Sequence, residues 1–261
     1  MKKEIHLLLI ALQFYTRIPV SKHLPYSDDA LNKATRYFPF VGYIIGAISF
    51  LILYGASFLL PVELAVLLSM LGGMLLTGAF HEDGLADFFD GFGGGWTQEK
   101  ILDIMKDSRV GTYGMVATIL QLALKFFALK FIVEACINQP LLLFTIFLCY
   151  HALARTTAIQ VSFLLPYVRE DEKSKAKPIA KKHRPIDAVL ATIFGCIPLL
   201  LISYNYPIMA LCLLPLVVLI AYFRYFLNKW IKGYTGDCLG ALEQISEVVI
   251  LITFVALWKF I

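Results

Sequence analysis

The chain is broken into long apolar stretches, and these decide which solvent it folds in. A helix that crosses a bilayer needs about 20 mostly apolar residues, since the hydrocarbon layer is about 30 Å thick. Stretches of this kind lie at 40–60, 62–80, 112–136, 141–165, 188–204, 208–227 and 248–261. The last is short and gains length if its helix begins near Leu239. Among the 261 residues, 59% are hydrophobic and 16% charged, against about 45–50% and 25% in soluble domains. Too little polar surface remains to cover a soluble core, and intrinsic disorder is excluded. Cys136, Cys149, Cys196, Cys212 and Cys238 form no C-x-x-C pair, which argues against a disulfide framework or a zinc knuckle. The expectation is an all-α, polytopic integral membrane helical bundle of about seven spans, forming one domain over residues 1–261. Before it come Lys2, Lys3 and the apolar run 7–12, which imitate a signal peptide. The following Phe14–Pro19 offers no small-residue cleavage site, so an N-terminal interfacial or re-entrant helix is expected.

Parity then sorts the connections. With those spans, segments 1–39, 81–111, 166–187 and 228–247 share one side of the membrane. The opposite turns, near Pro61, Asn138–Pro140 and Asn205–Pro207, are minimal. The long side holds Lys2, Lys3, Arg17, Lys22, Lys33 and Arg36, and later Arg169, Lys173, Lys175, Lys177, Lys181, Lys182 and Arg184. Basic loops of this length stay cytoplasmic, which predicts a multi-pass protein of the cytoplasmic (inner) membrane with its polar chemistry on the cytoplasmic face. The stretch Tyr167–Asp187 is read either as an anchor near anionic headgroups or as a flap over an anionic substrate.

One loop breaks the basic pattern. Between His81 and Arg109 the chain carries Glu82, Asp83, Asp87, Asp90, Glu99, Asp103 and Asp107 against Lys100, Lys106 and Arg109. Asp83, Asp87 and Asp90 fall at i, i+4 and i+7, one face of a helix. Stacked like charges destabilise that face unless a cation neutralises them. Hard oxygen donors without a Cys or His crowd select Mg²⁺ or Mn²⁺. Glu82 lies off this face and joins the candidate metal set as an outer member. Leu85, Phe88, Phe89 and Phe92 interleave with the aspartates and would hold them near the membrane surface. Gly93-Gly94-Gly95 lets a backbone approach a phosphate closely. Lys106 and Arg109, i and i+3, are candidates to clamp one anion. Carboxylates, a divalent cation, two basic residues and glycines together describe phosphoryl or nucleotidyl transfer, where catalysis is positioning plus charge neutralisation.

His81–Gly95 followed by Met105–Gly114 resembles the signature region of the cobalamin synthase family, the adenosylcobinamide-GDP ribazoletransferases. Phe14–Pro19 and Gly233–Ala241, with Glu243 and Glu247, are similar to that family as well. The resemblance implies a membrane transferase in the last stage of cobalamin nucleotide-loop assembly. Its members join adenosylcobinamide-GDP to α-ribazole, or to α-ribazole 5′-phosphate, release GMP and depend on Mg²⁺. On this reading Asp83, Asp87 and Asp90 are both metal-binding and catalytic, with Asp90 or Asp87 taking the acceptor hydroxyl's proton. Lys106 and Arg109 neutralise the departing GMP. Asp237, in a Gly-rich segment on the same side, is a candidate contact to metal or substrate. A weaker likeness is to CDP-alcohol phosphotransferases, which Asp83-Gly84 suits but the compressed spacing does not.

Two arginines stand apart. Arg155 lies inside an apolar stretch with His151 one turn earlier, so it is either a substrate contact or a buried cation satisfied by carbonyls or Glu134. Arg17, like Arg36, serves either anionic lipid or a substrate phosphate. Lys130 and Glu134 are expected to pair locally, and Lys125 to line the bundle interior. The bilayer is the expected environment, no nucleic-acid partner is expected, and homo-oligomerisation is left open. A transporter is the remaining alternative, but it predicts charge at the midplane, whereas here the carboxylates concentrate at one face.

Overall fold

In the computed structural model the described residues are 2–20, 24, 27–169 and 184–261. Most of the basic stretch read as anchor or flap, from 170 to 183, lies outside them. The described chain is helical, with an isolated bridge between Tyr167 and Tyr234 and no strand. The helices are α1 (Lys2–Tyr15), α2 (Asp28–Ala34), α3 (Phe38–Ser57), α4 (Val62–Thr77), α5 (Phe80–Gly94), α6 (Gln98–Ile104), α7 (Thr112–Cys136), α8 (Pro140–Leu164), α9 (Pro185–Asn205), α10 (Leu213–Trp230) and α11 (Gly236–Leu257). A 3₁₀ turn, Thr35–Tyr37, joins α2 to α3.

Six segments among the described residues are long and apolar enough to cross a membrane, and the bent pair α4–α5 makes a seventh if it counts as one span. The bundle is therefore polytopic, as the apolar spacing predicts, and two boundaries differ from that expectation. The stretch 62–80 is not one straight rod. Gly78 (φ 69°) and Ala79 (φ 57°) both take the left-handed conformation, α4 stops there, and α5 leaves at 86°. Most of the expected acidic loop is thus helix. The last span begins at Gly236, close to the Leu239 start that would lengthen it, rather than at the apolar edge at Val248. Its polar first turns lower its hydropathy, but they lie inside the bundle, where other helices supply partners.

Burial distinguishes centre from rim. For α8, 78% of the most apolar window is buried, and for the span that includes α11, 72%; for Pro207–Trp230 the figure is 22%. The pair α8 and α11 therefore forms the axis. α7, α9 and α10 surround it and turn residues such as Ile119, Leu124, Phe127, Leu200 and Val217 outward, as lipid-facing helices do. α3 seats against α8 through glycines. A Cβ on Gly46 would lie 2.5 Å from the Phe147 carbonyl oxygen, and one on Gly42 2.7 Å from that of His151. Small residues let helices approach where no hydrophobic force drives them together. α1 docks Leu7, Ile10, Ala11 and Tyr15 into a core shared with α3, α5 and α11. It is tied further by Glu4, which accepts from Arg36 and Tyr37. Arg36 also reaches Asp187 of α9 at 3.2 Å.

Gly46→Leu is expected to lower thermal stability in detergent by about 1–3 kcal/mol through overpacking. Gly55→Ala, where a Cβ meets nothing within 4 Å, should melt with the parent. Equal melting of the two variants would show that α3 does not depend on this approach.

Candidate active site

The three aspartates of α5 share one face but have different surroundings: Asp83 is exposed, Asp87 half-buried and Asp90 buried. Asp90 closes the start of α7. Its Oδ2 accepts the Gly111 N–H at 2.6 Å and its Oδ1 the Gly114 N–H at 2.9 Å. Helix N-termini leave such donors without intrahelical partners and favour negative charge. Glycine is required at both positions, since a Cβ on either would come 2.5 Å from an Asp90 oxygen.

A second close approach brings in α11. A Cβ on Gly84 would lie 3.1 Å from Asp237 Cα, and one on Gly240 3.2 Å from the His81 carbonyl oxygen. This crossing places Asp237, in the first turn of α11, beside α5. The negative charges of Asp237, Asp83 and Asp90 all act on Asp87, and Arg169 opposes them. Thr235 caps α11, accepting the Cys238 N–H at 3.3 Å. Arg169 Nη2 lies 2.7 Å from Asp237 Oδ2. Arg169 is held there by the backbone. The Val168 N–H donates to the Tyr234 carbonyl at 3.0 Å, and the Tyr234 N–H to that of Pro166 at 2.9 Å. The exits of α6, α8 and α10 thus meet beside this acidic cluster and form a mouth, with Thr235 Oγ1 3.9 Å from Met105 Sδ.

Lys106 and Arg109 are both exposed and lie beyond the end of α6 at Ile104, so they do not share a helix face. Arg109 forks onto Asp107, with Nε to Oδ1 at 3.0 Å and Nη2 to Oδ2 at 2.6 Å. That fork holds the Asp107 carboxyl down at about 2. Arg109, Asp107, Asp90, Gly111 and Tyr113 line an open cleft of about 460 Å³ at the start of α7. Arg17 is exposed at the α4–α5 elbow, where its N–H donates to the Leu76 carbonyl at 2.7 Å and its guanidinium packs over Gly78.

Arg155 and Glu82 belong to a different constellation, buried between helices. Arg155 Nη1 lies 2.7 Å from Glu243 Oε1 and 3.3 Å from Glu247 Oε1. Lys125 bonds the other oxygen of Glu247, and His151 Nδ1 reaches Oε1 at 2.6 Å. Gln121 donates to Gln244 at 2.6 Å, and Gln244 to Glu243 at 2.9 Å. Glu82 is buried and turned toward this network, beside His81, Lys125 and Glu247 along a cavity of about 10 Å³, room for about one water. Lys130 pairs with Glu134 at 3.4 Å, as the spacing predicts, and with Glu63 at 2.9 Å.

The structure therefore brings Asp83, Asp87 and Asp237 together, uses Asp90 as a helix cap, and holds Arg155 and Glu82 deeper in the bundle. Sequence reasoning did not single out Arg169 as the partner of Asp237, and no local signal links residues so far apart. The buried network did leave a signal: Gln121 and Lys125, His151 and Arg155, and Glu243 and Glu247 are each spaced i, i+4 within apolar helices.

With this geometry in view, the comparisons with known proteins are decisive about kinship. The family model described as Cobalamin-5-phosphate synthase matches residues 7–255. The chain belongs to that family. It is 41% identical over 252 residues to an adenosylcobinamide-GDP ribazoletransferase of Leptospira interrogans, covering 95% of this chain and 94% of the relative. It is 44% identical over 266 residues to a protein of the same name from Shewanella amazonensis, covering 99% and 98%. A third, from Shewanella sp. (strain W3-18-1), is 43% identical over 247 residues, covering 95% and 92%. No solved structure matches. Family membership thus extends over both the acidic cluster and the buried network.

Removing one member of a buried ion network leaves an unpaired charge, at a cost of about 3–5 kcal/mol. Arg155→Ala should therefore sharply reduce the yield and melting temperature of detergent-purified protein. Asp90→Ala should cost about 1–2 kcal/mol as a lost helix cap. An Arg155→Ala protein that melts like the parent would mean that the network does not hold the helices together.

Proposed function

We propose that the protein is a Mg²⁺-dependent adenosylcobinamide-GDP ribazoletransferase. It would join adenosylcobinamide-GDP to α-ribazole, or to its 5′-phosphate, release GMP, and act at the cytoplasmic face of the inner membrane. The observation that carries this reading is the meeting of Asp83, Asp87 and Asp237 at the mouth. Its support is the shared name of the relatives that match the chain nearly end to end.

The residues fit the metal. Hard carboxylates that repel one another, with Arg169 as a counter-charge, form a donor set suited to Mg²⁺. Among the described residues no group of three or more His, Cys, Asp or Glu side chains is a ready metal site. Mg²⁺ does not need one, because it keeps several waters and completes its shell with one or two carboxylates and substrate phosphates. Of Asp83, Asp87 and Asp237, one or two would hold it directly and the rest through its waters. Bound there, it would neutralise charge on the diphosphate and polarise the reacting oxygens.

The other roles fall to the chain itself. Asp90 fixes the α7 N-terminus and, with it, the wall of the adjoining cleft. Both Asp90 oxygens already accept backbone N–H groups, so Asp87 is the better placed of the two to take the acceptor hydroxyl's proton. Arg109 and Lys106, exposed beside that cleft, neutralise charge on the departing GMP. Arg155 supports the reaction from within the bundle, by holding α11 and hence Asp237 in register.

Purified protein given both substrates and Mg²⁺ should release GMP, stop on addition of EDTA and resume with excess Mg²⁺. Asp83→Asn, Asp87→Asn and Asp237→Asn should each lower kcat about 100-fold or more in protein that melts normally. A folded preparation that releases no GMP would overturn the reading, as would near-parental turnover in all three variants.

A further inference from the structure

Arg169 meets its carboxylate through one nitrogen, without the fork that Arg184 and Arg109 make. Arg184 forks onto Asp187 with both contacts at 3.0 Å, and Arg109 forks onto Asp107. Arg169 Nη2 lies 2.7 Å from Asp237 without hydrogen-bond geometry, and its buried Nε has no partner among the described residues. The Nε of Arg36 and of Arg155 is unpartnered too, but each of those arginines reaches two carboxylates and Arg169, among the described residues, only one. A buried guanidinium donor without an acceptor is unfavourable, so the pairing is incomplete. The backbone behind it is fixed by the two bonds of the Tyr167–Tyr234 bridge, whereas the side chain is long and rotatable. Its position is also telling: it is the cation that offsets the mutual repulsion of Asp87 and Asp237.

We propose that Arg169 is the exchangeable counter-cation of the acidic cluster, resting on Asp237 and passing to the substrate's diphosphate when substrate binds. The chemistry favours the second position, because guanidinium binds phosphate through a planar fork that the present contact does not use. The transfer frees Asp237 for the metal and places positive charge on the group that the reaction cleaves. It also couples the two ligands. A metal ion alone must compete with Arg169 for Asp237, but once the nucleotide substrate draws Arg169 away the competition ends. Each ligand therefore strengthens the other by the same factor. This proposal rests on the transferase reading of the same cluster.

The test uses the full-length protein in lipid nanodiscs, with Mn²⁺ as the paramagnetic probe and adenosylcobinamide-GDP as the second ligand, without the ribazole acceptor. In the parent protein Mn²⁺ should bind weakly alone and more tightly with adenosylcobinamide-GDP. In Arg169→Gln, Mn²⁺ alone should bind about fivefold tighter, the effect of one lost competing ion pair. The enhancement by substrate should shrink, and in separate turnover assays with Mg²⁺ and the ribazole acceptor KM for adenosylcobinamide-GDP should rise. Arg169→Lys keeps the charge but not the fork, so its Mn²⁺ affinity should stay near parental while KM still rises. Unchanged or weaker Mn²⁺ binding in Arg169→Gln would overturn the proposal. If that variant does not fold, an unchanged KM in Arg169→Lys would do so. Asp83→Asn, Asp87→Asn and Asp237→Asn separate the two levels. Should they bind Mn²⁺ like the parent, the metal reading of the cluster fails. Should they lose it while Arg169→Gln behaves like the parent, only the exchange fails.

Discussion

Two carboxylates of α11, Glu243 and Glu247, lie where no solvent reaches them, and the bundle supplies their solvation instead. Arg155 and His151 come from α8, Lys125 and Gln121 from α7, and His81 approaches Glu243 from α5 at 3.8 Å. In a medium of low dielectric these bonds are strong only while every partner is present. The four helices are thus obliged to keep one relative height. Dispersion among leucines and phenylalanines could be satisfied at several offsets along α8, whereas a guanidinium between two glutamates cannot.

That fixed height sets the mouth. α11 rises about 1.5 Å per residue, so Asp237 stands about 9 Å along the helix from Glu243. Between them Gly240 lies flush against the backbone of His81. The helix works as a ruler with its zero in the buried network and its mark at the acidic cluster. α5 reads the same scale in parallel, with His81 and Glu82 turned inward and Asp83 and Asp87 at the mouth. The glycine contact allows the two rulers to lie close enough for their aspartates to share one field.

Several of these features could be read directly from the sequence. The apolar stretches announced α3, α7, α8, α9 and α10, and the i, i+4, i+7 spacing announced the acidic face of α5. The elbow at Gly78–Ala79 was hidden, because alanine rarely adopts the left-handed conformation and the hydropathy runs on through it. The start of α11 was legible only as the length the last span lacked, which pointed to Leu239, and not from its polar first turns. Glu243, Gln244 and Glu247 look like solvent-facing residues until their partners on α7 and α8 are known. Asp83, Asp87 and Asp90 are alike as letters. What sets Asp90 apart is its contact with Gly111 and Gly114, which lie 21 and 24 residues away, and no local pattern carries that information. The kinship with cobalamin synthases was legible because its motifs are long and run in order along the chain.

The elbow also bears on how the protein is assembled. Where α4 stops, the carbonyl of Leu76 takes a hydrogen bond from the backbone of Arg17, and the Arg17 side chain lies over Gly78. The segment that follows α1 is therefore completed by residues translated some sixty positions later. α1 has its seat only where that elbow is formed, because its apolar residues pack into a core shared with α3, α5 and α11. The bend near residue 78 thus decides whether the N-terminal helix has a place in the bundle at all.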